Sequence, residues 1–91
     1  MDALLSHTNA LPVRIAILAK APLAGFAKTR LIPALGARGA ARLQRAFVRR
    51  TLHVAQQARL GGGVQLWCAP SAYQRFFRAL RRSTGVVCFN Q

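Results

Sequence analysis

The residues best suited to chemistry lie in one short stretch, Lys20-Ala21-Pro22-Leu23-Ala24-Gly25-Phe26-Ala27-Lys28-Thr29-Arg30. Lys20, Lys28 and Arg30 supply cations, Thr29 supplies a hydroxyl, and Gly25 lets the backbone come close to a ligand. An anion suits this set. Arg30 can grip two phosphate oxygens at once, while Lys28 acts as a mobile point charge. Each charge-assisted hydrogen bond of that kind contributes about 1.5–3 kcal/mol. Two familiar phosphate loops are excluded by spelling. A P-loop needs glycines where Pro22 and Ala27 stand, and no G-x-G-x-x-G occurs anywhere. A surface loop with solvated charges is the plain alternative.

Charge narrows the chemistry further. Ninety-one residues carry fourteen Lys and Arg against a single acid, Asp2, so the formal net charge is +13. There are no paired carboxylates for glycoside hydrolysis and no acidic pair for Mg²⁺ or Ca²⁺. Nor is there a buried acid to serve as general base. Cys68 and Cys88 lie far apart, without a C-x-x-C motif or a histidine at metal-ligand spacing. Reduced cysteines in strands are expected, with a single disulfide left open. His7 falls in the leader and His53 on a polar helix face, so neither cysteine gains a base for nucleophilic catalysis.

The elements that must position the loop follow from periodicity. Met1 to Pro12 is mixed and aperiodic and reads as a flexible leader. Val13 to Ala19 is short, apolar and partly β-branched, as in a strand buried on both faces. Breaks are expected at Pro22 and Gly25, then at Pro33 and Gly36. From Arg38 to Leu60 the period becomes helical. Ala40, Leu43, Phe47, Val54 and Ala58 share one arc, and Arg38, Arg42, Arg45, Arg49 and His53 the opposite one.

Gly61-Gly62-Gly63 ends that helix, and Val64 to Ala69 predicts a second strand closed by Pro70. Ser71 to Gln74 has the S-x-x-Q form of a capping box. Tyr73, Phe76, Phe77 and Leu80 follow as an apolar helix face, with Arg75, Arg78 and Arg82 opposite. Gly85 stops this helix and Val86 to Phe89 begins a third strand. Tyr73, Phe76, Phe77 and Trp67 are assigned to the core. Strands separated by helices imply right-handed crossovers and a parallel sheet, the front of a doubly wound α/β fold. In such sheets ligands bind beyond the carboxyl ends of the strands, which is where the Lys20–Arg30 loop emerges.

The run I-L-A-K-A-P-x-x-G-x-x-K-T-R-L, from Ile17 to Leu31, resembles the opening signature of a glycosyltransferase-A-like family. Its members are described as radical-SAM/selenodomain-associated transferases or as a domain of unknown function. The likeness continues through Pro33–Gly36 (P-A-L-G), Ala40–Leu43 (A-A-R-L) and Leu66–Pro70 (L-W-C-A-P), and ends at Gln91. That family is similar to 2-phospho-L-lactate guanylyltransferase and to the molybdenum-cofactor guanylyltransferases.

The resemblance implies the N-terminal βαβαβ half of a parallel-sheet nucleotide-diphospho-sugar transferase fold, truncated, with residues 13–91 forming an incomplete nucleotide-binding domain. It also implies a nucleotide or nucleotide-sugar held by Lys20, Gly25, Lys28, Thr29 and Arg30. Family members continue into a G-D-L-G-like stretch and acidic residues of the metal-binding kind. No cofactor is therefore expected in this chain, and a divalent metal, Mg or Mn, only in a full-length member. The catalytic residues stay unknown and the chain alone is expected to be inactive.

Bulk composition frames these expectations. Apolar residues make up 53% and charged residues 16%, against about 45–50% and about 25% in ordinary domains. Wholesale disorder is disfavoured, but one small domain with uncompensated charge is marginally stable. A partner, a polyanion or more chain is expected to complete it. The main alternative function is a small basic nucleic-acid-binding protein, given the arginine stripe. No helix-turn-helix, zinc knuckle or aromatic RNA-binding motif accompanies it, so non-specific polyanion attraction is the firmer expectation. The longest apolar stretch, Ile15 to Ala19, is far short of the roughly 18 residues of a membrane span, and the expected location is cytoplasmic.

Overall fold

The structure, a computed structural model, describes residues 13–59 and 61–91. The expected leader, with His7, and the expected helix end at Leu60 lie outside the described residues. The elements are β1 (Ile15–Lys20), a 3-10 turn (Thr29–Leu31), α1 (Ile32–Gln57), β2 (Val64–Ala69), α2 (Arg75–Thr84) and β3 (Val87–Asn90). The strands form one parallel sheet in the order β1-β2-β3. Ile17 sits opposite Leu66, and Leu66 opposite Cys88. The result is a small α/β domain with alternating parallel β-α-β-α-β topology, the expected class.

One face of the sheet carries the core. Ala19, Leu66 and Cys68 from the strands pack with Val48 and Leu52 of α1 and with Phe76, Phe77 and Leu80 of α2. Both helices thus cover the same face, as two right-handed crossovers that move the same way along a parallel sheet require. On the other face Leu18 is 73% exposed. Trp67 and Phe89 stack there with ring centroids 4.7 Å apart. The Trp67 indole N–H donates to Gln65 Oε1 at 3.3 Å. Trp67 is therefore half-buried by its neighbours on the sheet rather than placed in the core.

Three local expectations change. β1 begins at Ile15, where pairing with Val64 starts, and β3 begins at Val87, leaving Val86 as a core residue. The first long helix starts earlier than expected, at Ile32, with Pro33 tolerated in its first turn. Gly36 breaks it, as expected, at φ 72° and ψ 164°, a conformation that needs glycine, and the expected helix from Arg38 lies beyond that kink.

The buried face of α1 is also rotated from the expected one. Ala40, Ala41, Gln44, Val48, Leu52 and Ala55 are buried, while Leu43, Phe47 and Val54 are exposed. Small residues let the helix approach the sheet closely. The arginines Arg38, Arg42, Arg45 and Arg49 face solvent as expected.

The start of α2 is not a capping box. Gln74 is itself the N-cap, with extended φ/ψ, and its Oε1 accepts from the Phe76 amide at 2.8 Å. Ser71 Oγ accepts from the Tyr73 amide, at 3.0 Å, in a separate turn. Tyr73 precedes the helix and is 73% exposed, so it leaves the expected core; Phe76 and Phe77 remain in it. Gly85 ends α2 at φ 74° as expected, its amide donating to Arg81 O at 2.9 Å.

This division predicts contrasting truncations. Phe77→Ala should lower the unfolding free energy by about 3–5 kcal/mol, the cost of emptying a fully buried aromatic site. Tyr73→Ala should stay within about 0.5 kcal/mol of the parent. Urea melts followed by circular dichroism check both, and a larger loss at Tyr73 would overturn the assignment of the core.

Candidate functional site

The loop after β1 is held at both ends. The Ala21 amide donates to Ala69 O at 2.8 Å, extending the β1–β2 ladder by one residue. Leu23 O then accepts from the Phe26 and Ala27 amides, at 3.0 and 3.1 Å, and closes a turn around Gly25. Gly25 has φ 83°, which the third position of such a turn favours in glycine. Ala21, Pro22 and Ala27 are buried and anchor the loop against the domain.

Lys28 adopts φ 48° and ψ 47°, the left-handed region, and leads into the 3-10 turn, where the Leu31 amide donates to Lys28 O at 2.9 Å. For a residue with a side chain that conformation costs about 1–2 kcal/mol. Its ammonium lies 4.3 Å from the centre of the Phe47 ring, a contact of about 0.5–1 kcal/mol at an exposed site. The two are of similar size, so the ring offsets much of the strain. Lys20 lies less closely over Phe26, at 5.6 Å.

Lys20, Lys28, Thr29 and Arg30 line one depression of about 360 Å³, together with Leu31. Four of the five residues singled out in the sequence are thereby brought together. Gly25 does not line it; its part is the turn that delivers Lys28. Behind the depression, buried Gln44 donates through Nε2 to Lys20 O at 2.9 Å and fixes the carboxyl end of β1. Gln91 Nε2 donates to Trp67 O at 2.9 Å and to Ala19 O at 3.3 Å. Gln44, Phe26 and Phe47 were not legible as site residues. The one available signal was a glutamine on an alanine-rich helix face.

Electrostatically the depression is one-sided. All fourteen Lys and Arg belong to the described residues, and the single acid, Asp2, does not. No side-chain carboxylate among the described residues therefore competes with an incoming anion. The same fact decides the fit of a divalent metal. Mg²⁺ and Mn²⁺ favour oxygen ligands, chiefly carboxylates. The described residues offer no side-chain carboxylate, nor any group of three or more His, Cys, Asp or Glu. They do not fit such an ion.

Cys68 is buried in the core and Cys88 is half-buried against it, both with free thiols. Burial, reinforced by the neighbouring Cys88, pushes the Cys68 thiol up to about 12, and burial also raises Cys88. Both stay protonated at neutral pH, which makes them poor nucleophiles. Because the folded value lies above the ordinary 9.0, the unfolded chain ionises first as pH rises. The stability Cys68 contributes is therefore complete below about 9 and lost progressively towards 12. Urea midpoints measured across that range should fall more steeply for the parent than for Cys68→Ala, and parallel slopes would refute the assignment.

Among the described residues, no helix is long and apolar enough to cross a membrane. No family model, curated protein or solved structure matches this chain.

Proposed function

We propose that this chain is the nucleotide-binding N-terminal part of a nucleotide- or nucleotide-sugar-dependent transferase, of glycosyltransferase or nucleotidyltransferase type. The ligand's phosphates occupy the depression formed by Lys20, Lys28, Thr29 and Arg30. The observation that carries this reading is the convergence of those four residues on one depression after the first strand of a parallel sheet. Ligands of open α/β sheets bind beyond the carboxyl ends of the strands. Arg30 chelates two phosphate oxygens, Lys28 and Lys20 neutralise charge, and Thr29 adds a neutral hydrogen bond.

The catalytic acids and divalent metal of the family that the sequence resembles have no counterpart among the described residues. The function proposed for these residues is accordingly phosphate binding. Calorimetric titration with a nucleoside triphosphate at fixed ionic strength tests it. Arg30→Ala should weaken binding by about 1.5–3 kcal/mol. Arg82→Ala removes the same charge from the last turn of α2 and should cost well under 1 kcal/mol, roughly the scale of a screened surface charge. Equal affinity for the parent and Arg30→Ala would remove Arg30 from the site and overturn the reading.

A further inference from the structure

A second cavity, of about 400 Å³, lies between α1, α2 and the loop after β1, and none of the residues around the first depression lines it. Arg45 and Arg49 of α1 and Arg75 of α2 line it, with Leu23 and Phe76 as its apolar wall. The guanidinium carbons of Arg45 and Arg49 lie 5.5 and 5.6 Å from the centre of the same Phe76 ring. That ring is only 6% exposed, so it is a fixed floor rather than a mobile neighbour.

Three like charges around one cavity repel one another, and no side-chain carboxylate among the described residues relieves them. The Phe76 ring holds two of the guanidiniums in place by cation–π attraction. A guanidinium held in this way has lost part of its rotational freedom before any ligand arrives, which lowers the entropy cost of binding. The Phe76 amide already donates to Gln74 Oε1, so that amide is taken and the full charges at the cavity are those of the arginines.

We propose that this cavity binds a phosphorylated small molecule, with Arg45, Arg49 and Arg75 on its phosphoryl oxygens and its carbon skeleton against Leu23 and Phe76. The volume falls in the range of small-ligand pockets, roughly 300–1,000 Å³. Arginine is the side chain whose planar fork matches phosphate oxygens in pairs. The shape selects against a continuous nucleic-acid strand. Arg38 and Arg42, earlier on the same exposed stripe, do not line the cavity, so the stripe is divided between open surface and a concave site. The proposal does not rest on the nucleotide reading of the first depression.

Inorganic pyrophosphate, titrated at fixed ionic strength and followed by the backbone amide resonances of the full chain, tests the site. The amides of Arg75, Phe76 and Phe77 should shift and saturate. The double variant Arg49→Gln/Arg75→Gln should weaken that transition at least about tenfold. Arg49→Lys/Arg75→Lys, which keeps the charge and loses the fork, should fall between and serves if the first variant folds poorly. Lys28→Gln/Arg30→Gln should leave it within about twofold, because neither residue lines this cavity. The control Arg81→Gln/Arg82→Gln removes equal charge from the last turn of α2. A loss there as large as in Arg49→Gln/Arg75→Gln would overturn the proposal. So would shifts confined to Thr29 and its neighbours, or amides around Phe76 that respond to duplex DNA and not to pyrophosphate.

Discussion

Leu66 and Cys68 of the middle strand are both fully buried, and both helices rest on them. That seam decides the remaining placements. Phe77 and Leu52 close over it from opposite helices, each also shut off from solvent. Burial of such side chains contributes about 1.5–3 kcal/mol each. Two unit charges in water repel by about 1 kcal/mol at 4 Å, less at greater distance and in salt. A few core contacts therefore outweigh the repulsion between any pair of surface arginines. The cations are carried as passengers on a scaffold whose packing they do not determine.

The seam also explains which parts of the fold were legible in the sequence. β2 was readable to the residue, because Val64 to Ala69 is an apolar run bounded by Gly63 and Pro70. The end of α2 was readable because Gly85 is needed for its positive φ. The buried side of α1 was not. A helical wheel ranks Leu43, Phe47 and Val54 above Ala41 and Gln44 by transfer free energy, and of the expected arc Ala40 is buried. Packing instead favours small residues where helix and sheet come close, and Gln44 is admitted because its amide reaches Lys20 O. Neither distance nor hydrogen-bond partnership is visible in a single sequence. The same limit applies at Gln74, which matched the spacing of a capping box while serving as the cap itself.

The candidate phosphate site divides along the same line. Lys20, Lys28, Thr29 and Arg30 were legible because they are near neighbours in the chain, and a loop after a strand brings them together with little help from the fold. The left-handed conformation of Lys28 and its contact with Phe47 were not, since the partner lies 19 residues further along the chain. The exposure of Phe47, anomalous for an aromatic residue on an amphipathic helix, has a physical use once the lysine above it is seen. It is the counterpart of strain at a position that faces the depression.

Both depressions draw on the segment between β1 and α1. Lys20, Lys28, Thr29 and Arg30 line one, while Pro22 and Leu23 contribute to the other. The turn closed on Leu23 O, with Gly25 at φ 83°, separates the two sets of residues and holds them in a fixed order. A net charge of +13 could act as a diffuse attraction for any polyanion. Here part of it is gathered into concave sites whose members are fixed by ring contacts, a 3-10 turn and the start of a helix. An anion that binds only the folded arrangement stabilises it by mass action, and it does so where several cations line one cavity. Ligand binding and stability are thus linked in this domain, because each candidate site is lined by three cations that no side-chain carboxylate among the described residues relieves.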